Sequence, residues 1–142
     1  MSKSILSKLF EQGSHAKDRA YAPYSNHPVG SALLADDGNV YAGCNVETAN
    51  YKGTCAEAGA IAQMIAHGGR TIQHIAVIGP GTHLCTPCGD CRQRIREFAT
   101  AATQIHVFDQ AGQLLKNYTM EELLPDSFGP DNIAQIKAAP SP

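Results

Sequence analysis

"GTCAEAGAIAQMIAHGG", Gly53 to Gly69, and "TPCGDC", Thr86 to Cys91, decide how this chain is read. Each begins a helical segment on a cysteine. The first predicts a helix from Cys55 to His67, ended by Gly68 and Gly69, since paired glycines stop a helix. In the second, Pro87 opens a helix from Cys88 to about Phe98, as prolines do in a first helical turn. Between them "IQHIAVIG", 72–79, is continuously apolar over Ile75–Ile78, the pattern of a strand buried on both faces. Upstream, "VGSALLADDGNVYAGCNVE", 29–47, reads as a hairpin around the turn Asp36–Asn39. Downstream, "TQIHVFD" and "QLLKNYTM" flank a turn at Gln110–Gln113, and "MEELLP" is one helical turn.

The first residues, Ser4 to about Arg19, carry Ile5, Leu6, Leu9 and Phe10 as one apolar stripe and predict an amphipathic helix. "YAPYSNHPVG", 21–30, and "PGTHLCTP", 80–87, are loops. A hairpin followed by alternating helices and strands predicts an α/β fold of three layers, a mixed five-stranded sheet with helices on both faces. The 142 residues suit one domain spanning 1–142, with a tail expected to be flexible from about 130 and frayed at "APSP".

Hydrophobic residues make up 43% and charged residues 17%, a globular balance. A net charge of −2 argues against nucleic acid or an anionic membrane as partner. No apolar run is long enough for a bilayer span, and the opening residues lack an h-region and a cleavage site. The expected location is the cytoplasm. Five cysteines in a reducing compartment point to metal or redox chemistry rather than a disulfide framework.

Cys88 and Cys91 lie three apart at a helix start and can face one side; Cys55 at a second helix start can add a third sulfur. Three thiolates with one open position suit a catalytic zinc, whereas a structural zinc closes its shell with four protein ligands. The positive helix N-termini favour thiolate at all three. Glu57, two residues after Cys55, is placed to move protons without binding the metal. Two other readings compete: C-x-x-C as a redox pair, or a closed zinc site with Cys44 or Cys85 as fourth ligand. Neither gives Glu57 a task. Cys85 otherwise reads as loop filler and Cys44 as a strand residue.

With Cys55, Glu57, Pro87, Cys88 and Cys91 in hand, the chain resembles the small, homotetrameric, zinc-dependent cytidine deaminases. Glutamate with P-C-x-x-C and a three-cysteine metal site is an established signature of zinc nucleobase deaminases. "AYAPYS", "VGSALL", "GCNVE", "CAE", "PCGDCRQ" and "EELLP" occur in the family's order, over nearly all of Ala20 to about Phe128. The resemblance implies Zn2+ on Cys55, Cys88 and Cys91, with Glu57 shuttling protons during hydrolysis of cytidine and deoxycytidine to uridine and deoxyuridine. It implies that Asn45 and Glu47 hold the sugar hydroxyl, and that peptide groups around Ala56 and Thr86 meet the pyrimidine. It implies that Tyr51 reaches into a neighbouring subunit's site, and that the family's tetramer and its role in pyrimidine salvage carry over.

Two positions depart from the family pattern. Ala58 stands where most tetrameric members have an arginine that donates to the sulfurs and offsets their charge; Arg92, beside Cys91, is retained and can do part of this. His27 stands where a phenylalanine packs on the cytosine ring, and brings hydrogen bonding and possible charge. Both resemble departures in the blasticidin S deaminases, so a modified substrate, blasticidin S or an N4- or C5-substituted cytidine, is the alternative. A polynucleotide editor and an inactive zinc- or nucleoside-binding protein are further alternatives. His15, His67, His74, His83 and His106 are singly placed and are assigned no role.

Overall fold

A computed structural model of the chain describes residues 2–138, with side chains described for 5–134. Strands β1 (Gly30–Ala35) and β2 (Val40–Cys44) form the expected hairpin. Asp37 builds its turn, accepting from the Asn39 N–H at 2.9 Å and from the Tyr41 hydroxyl at 2.5 Å. Gly38 takes φ 83° there, open to glycine without a side-chain clash.

Strands β3 (Ile72–Ile78), β4 (Ala99–Phe108) and β5 (Leu114–Thr119) complete a five-stranded mixed sheet of order β2-β1-β3-β4-β5. β1 is antiparallel to both β2 and β3, so β2 and β3 run the same way, and β3 and β4 are parallel. Helix α2 (Ala56–Ala66) follows β2 and helix α3 (Gly89–Phe98) follows β3. Both helices therefore begin at the same end of the sheet, the carboxyl end of their strands, where open α/β sheets bind ligands.

The period-two alternation of the strands divides the core. On one face Leu9 of helix α1 (Ser2–Lys17) packs with Ala32, Ala76, Ile78 and Phe108. On the other, Leu33, Ile75 and Ile105 pack against Ala60, Ile61 and Met64 of α2 and Ile95 of α3. Three layers result, as expected.

Boundaries moved where side chains overrode local pattern. Pro87 precedes helix α3 rather than opening it, because Cys88 is extended (φ −66°, ψ 168°) and helical geometry starts at Gly89. β4 begins at Ala99, four residues before the apolar run expected from Thr103, because Thr103 Oγ1 bridges the irregularity: it donates to the Ile72 carbonyl at 2.6 Å and accepts from the Thr100 N–H at 2.8 Å. Thr119 ends β5 by starting helix α4 (Met120–Leu123) with a capping box to Glu122, the T-x-x-E pattern of a helix start. From Pro130, where a flexible tail was expected, the chain forms helix α5 (Pro130–Ala138). Its Asp131 pairs with Arg96 at 2.7 Å, and proline suits the first helical position. "APSP", 139–142, lies outside the described residues. Histidines 74 and 106 are structural: His106 lies between His74 (3.0 Å) and the Asn117 side chain (2.6 Å), and burial lowers the pKa of both rings.

The seat of α2 depends on one glycine. A Cβ on Gly43 of β2 would lie 2.4 Å from the Ala60 nitrogen and 2.7 Å from the Ala56 carbonyl oxygen. Strand and helix therefore meet backbone to backbone, which fixes where the first turn of α2 sits. Gly43→Ala is expected to destabilise the fold by about 2 kcal/mol, as overpacking against unyielding atoms does, lowering Tm by roughly 4–8 °C. A melting curve unchanged from the parent would contradict this seating.

Candidate active site

Cys55 and Cys88 occupy the N-cap positions of α2 and α3, and neither makes a side-chain capping bond. Ser, Thr, Asp or Asn at such a position stabilises a helix by about 1 kcal/mol, so both helices forgo a local gain. The sulfurs turn instead toward each other, 3.6 Å apart. Cys91, on the first turn of α3, is buried behind them. The three sulfur atoms lie within 4.8 Å of one another. Two sulfurs on a tetrahedral zinc, each at about 2.3 Å, are separated by about 3.8 Å, close to the separation found here.

The electrostatics of the donor set also fit a cation. Burial, then the Cys88 sulfur, pushes the Cys55 thiol up to about 11. Burial, then the charge of Glu57, pushes the Cys91 thiol far above its ordinary range. Sulfurs so close ionise together only around a positive charge. The N-termini of two helices supply part of it. All five cysteines are free thiols. Neither Cys44 nor Cys85 joins the three among the described residues, so the fourth-ligand alternative has no geometric support.

Glu57, in the first turn of α2, is 3% exposed, and burial raises its pKa. It lines a cavity of about 450 Å³ together with Cys55, Cys88, Ala56, Thr86 and Cys85. Asn45, Glu47 and Tyr51 line the same cavity. The predicted residues thus converge, with three exceptions. Cys91 is behind the wall, and His27 and Arg92 are not among the lining residues.

Arg92 has a different task from the one expected. Its guanidinium donates to the carbonyls of Pro87 (2.9 Å) and Leu123 (2.8 Å), and to no sulfur. It holds the peptide that leads into Cys88 and ties it to the last turn of α4, whose Leu123 carbonyl is one of those a helix end leaves free. Ala58 lies in a groove between α2 and α3, with Ile61 and Phe98, outside the cavity.

One functional residue was missed by sequence reasoning. Ser25 clamps Glu47: its N–H donates to Glu47 Oε1 at 3.1 Å, beside the Tyr24 N–H at 3.0 Å, and its hydroxyl donates to Oε2. Those bonds, the Ser25 hydroxyl first, hold the Glu47 carboxyl below its ordinary pKa. Asn45 does parallel work, accepting from the Val29 N–H at 2.9 Å and donating to the His27 carbonyl at 3.0 Å. Both residues therefore tie the 24–29 loop to the end of β2. The available signal was local: Ser25 also accepts from the His27 N–H at 3.1 Å, the two-residue turn that serines favour.

Fold and site together define a zinc hydrolase with a buried carboxyl beside its metal. The chain belongs to the family described as the cytidine and deoxycytidylate deaminase zinc-binding region, which matches residues 3–107. It is 36% identical to a cytidine deaminase of Sporosarcina psychrophila, over 91% of this chain and 95% of that protein. It is 38% identical to a cytidine deaminase of Halalkalibacterium halodurans, over 84% and 91%. The crystal structure of a cytidine deaminase from Burkholderia pseudomallei superposes with a TM-score of 0.80 at 38% identity, covering 86% of this chain and 98% of that one.

Cys88→Ser separates the two tasks an N-cap cysteine can have. Serine caps better than cysteine, so a purely structural Cys88 would tolerate the change or gain from it. The expected result is loss of most bound zinc, from about one equivalent per chain in a three-thiolate site, measured by elemental analysis of the purified variant. Full zinc retention would contradict the assignment of Cys88 as a ligand.

Proposed function

We propose that the chain hydrolyses cytidine and deoxycytidine to uridine and deoxyuridine with release of ammonia. The observation that carries this reading is the buried Glu57 carboxyl sharing one cavity with Cys55, Cys88, Asn45 and Glu47. A cavity of about 450 Å³ falls in the range of roughly 300–1,000 Å³ that small-molecule sites occupy.

Cys55, Cys88 and Cys91 hold the zinc. When bound, zinc supplies Lewis acidity that makes water nucleophilic near neutral pH. Glu57 takes one proton from the attacking water as its oxygen bonds to C4 of the ring, and delivers the proton to N3. It then takes the second proton from the new hydroxyl and passes it to the amino nitrogen. The C4–N bond breaks, ammonia leaves, and C4 keeps a carbonyl oxygen. A carboxyl raised by burial suits both directions of transfer. Peptide groups at Ala56 and Thr86 meet the pyrimidine edge, and Asn45 and Glu47, already immobilised by the 24–29 loop, bracket a sugar hydroxyl.

The same reading carries a homotetramer with sites at subunit interfaces, a role in pyrimidine salvage, and a cytoplasmic location. Tyr51 supports the first: it is 89% exposed and held at φ 60° beside Tyr24, with the exposed Tyr21 and Val46 in the same region. A non-glycine residue in that conformation persists only where something over-determines it. Among the described residues no helix is long and apolar enough to cross a membrane.

One observation favours a second substrate class. The His27 ring sits against His83 and is not among the residues lining the cavity. The face on which the family's phenylalanine packs is thereby left open to a ring substituent. Ammonia release from cytidine, deoxycytidine and blasticidin S, with methylamine release from an N4-methylated cytidine, discriminates the two, since turnover confined to the last pair overturns the plain-nucleoside reading. In the same assay Glu57→Gln is expected to lose about two orders of magnitude or more in rate while keeping its zinc and fold. Near-parental turnover by that variant would remove Glu57 from the mechanism.

A further inference from the structure

We propose that His27, His83 and Cys85 form a second divalent-cation site on the rim of the cavity, taking zinc through two imidazole nitrogens and one thiolate. His27 Nε2 and His83 Nε2 are 3.2 Å apart, and one ring nitrogen of each histidine and Cys85 Sγ lie within 4.8 Å of one another. Two nitrogens on a tetrahedral zinc, each at about 2.0–2.1 Å, are separated by about 3.3 Å. Imidazole and thiolate together suit zinc rather than calcium or magnesium, which take oxygen donors.

The other hydrogen-bonded histidine pair among the described residues is arranged differently. His74 and His106 stack with an interplanar angle of 16°, and Asn117 continues the chain of bonds. The rings of His27 and His83 meet at 58°, and a sulfur, not a third hydrogen-bonding group, completes the cluster.

The donors come from two loops, and each loop is held. The His27 backbone is fixed on both sides, its N–H by Ser25 Oγ at 3.1 Å and its carbonyl by Asn45 Nδ2 at 3.0 Å. The loop carrying His83 and Cys85 is pinned at Gly81, whose N–H donates to Gln110 Oε1 at 3.0 Å while its carbonyl accepts the Gln110 N–H at 3.0 Å. Gly79 leaves the space Cys85 needs, since a Cβ there would stand 2.4 Å from Cys85 Cβ. Such pre-placement is what a cation site requires of its ligands.

Among the described residues the second ring nitrogens of His27 and His83 have no hydrogen-bond partner, and metal-binding histidines with such a partner bind more tightly. The rim site is therefore the weaker of the two and is loaded second. It leaves one tetrahedral position open to solvent or to a group on the substrate.

The test is an isothermal titration of Zn2+ into protein that retains one zinc equivalent per chain after dialysis, confirmed by elemental analysis. Wild type is expected to take up one further equivalent with micromolar or tighter affinity. His83→Gln, whose exposed position leaves the fold intact by melting curve, is expected to keep the first equivalent and bind the second about 10-fold or more weakly. His27→Gln is expected to behave alike. Saturation of wild type at one equivalent, or equal uptake of the second by His83→Gln, overturns the proposal. Failure of the three-cysteine site shows separately, as absence of the first equivalent.

Discussion

Three sulfur atoms held within 4.8 Å of one another are the constraint on which the rest of this structure depends. Thiolates that close repel, and burial compounds the cost of charging them. Nothing in the local sequence relieves this, because Ala58 offers no donor and the Arg92 guanidinium is engaged by carbonyls. What remains is the cation and the two helix N-termini. The sheet supplies the latter. Because β1 is antiparallel to both of its neighbours, the helices after β2 and β3 start at the same end of the strands, and their positive ends meet. The absence of a Cβ at Gly43 then sets the depth at which α2 starts, and with it the positions of Cys55 and Glu57.

The second half of the site is built on a different principle. Asn45 and Glu47 are both satisfied by backbone groups of the 24–29 loop before any ligand arrives. Their orientation is thus paid for in folding rather than in binding. The same bonds place the His27 ring away from the cavity and against His83. One loop therefore serves both the Asn45–Glu47 pair and a histidine pair, and a change at Ser25 would be felt in each.

Much of this was legible beforehand. Cys55 and Cys88 stood out because, with Cys91, they put three sulfurs at two helix starts, and Glu57 because neither a redox pair nor a closed metal site gave it a task. The layer order followed from a hairpin, a continuously apolar strand and the alternation of helices and strands after them. The unread features are those that depend on contacts across the fold. The task of Arg92 is set by the Leu123 carbonyl, 31 residues away in the chain. The bridge through Thr103 depends on Ile72, and the pairing of His27 with His83 spans 56 positions. Single histidines read one at a time carry no hint of such pairs. The helix at Pro130–Ala138 was missed because its tie, Asp131 to Arg96, is also long-range.

The central claim is that three cysteines, and no more, hold the catalytic metal. X-ray absorption at the zinc edge, on protein carrying one equivalent per chain, tests it most directly. The account predicts three sulfurs at about 2.3 Å and one oxygen or nitrogen at about 2.0 Å. A shell of four sulfurs would mean a closed structural site with no place for water, and two sulfurs or fewer would mean that the convergence of the helix starts serves something other than zinc.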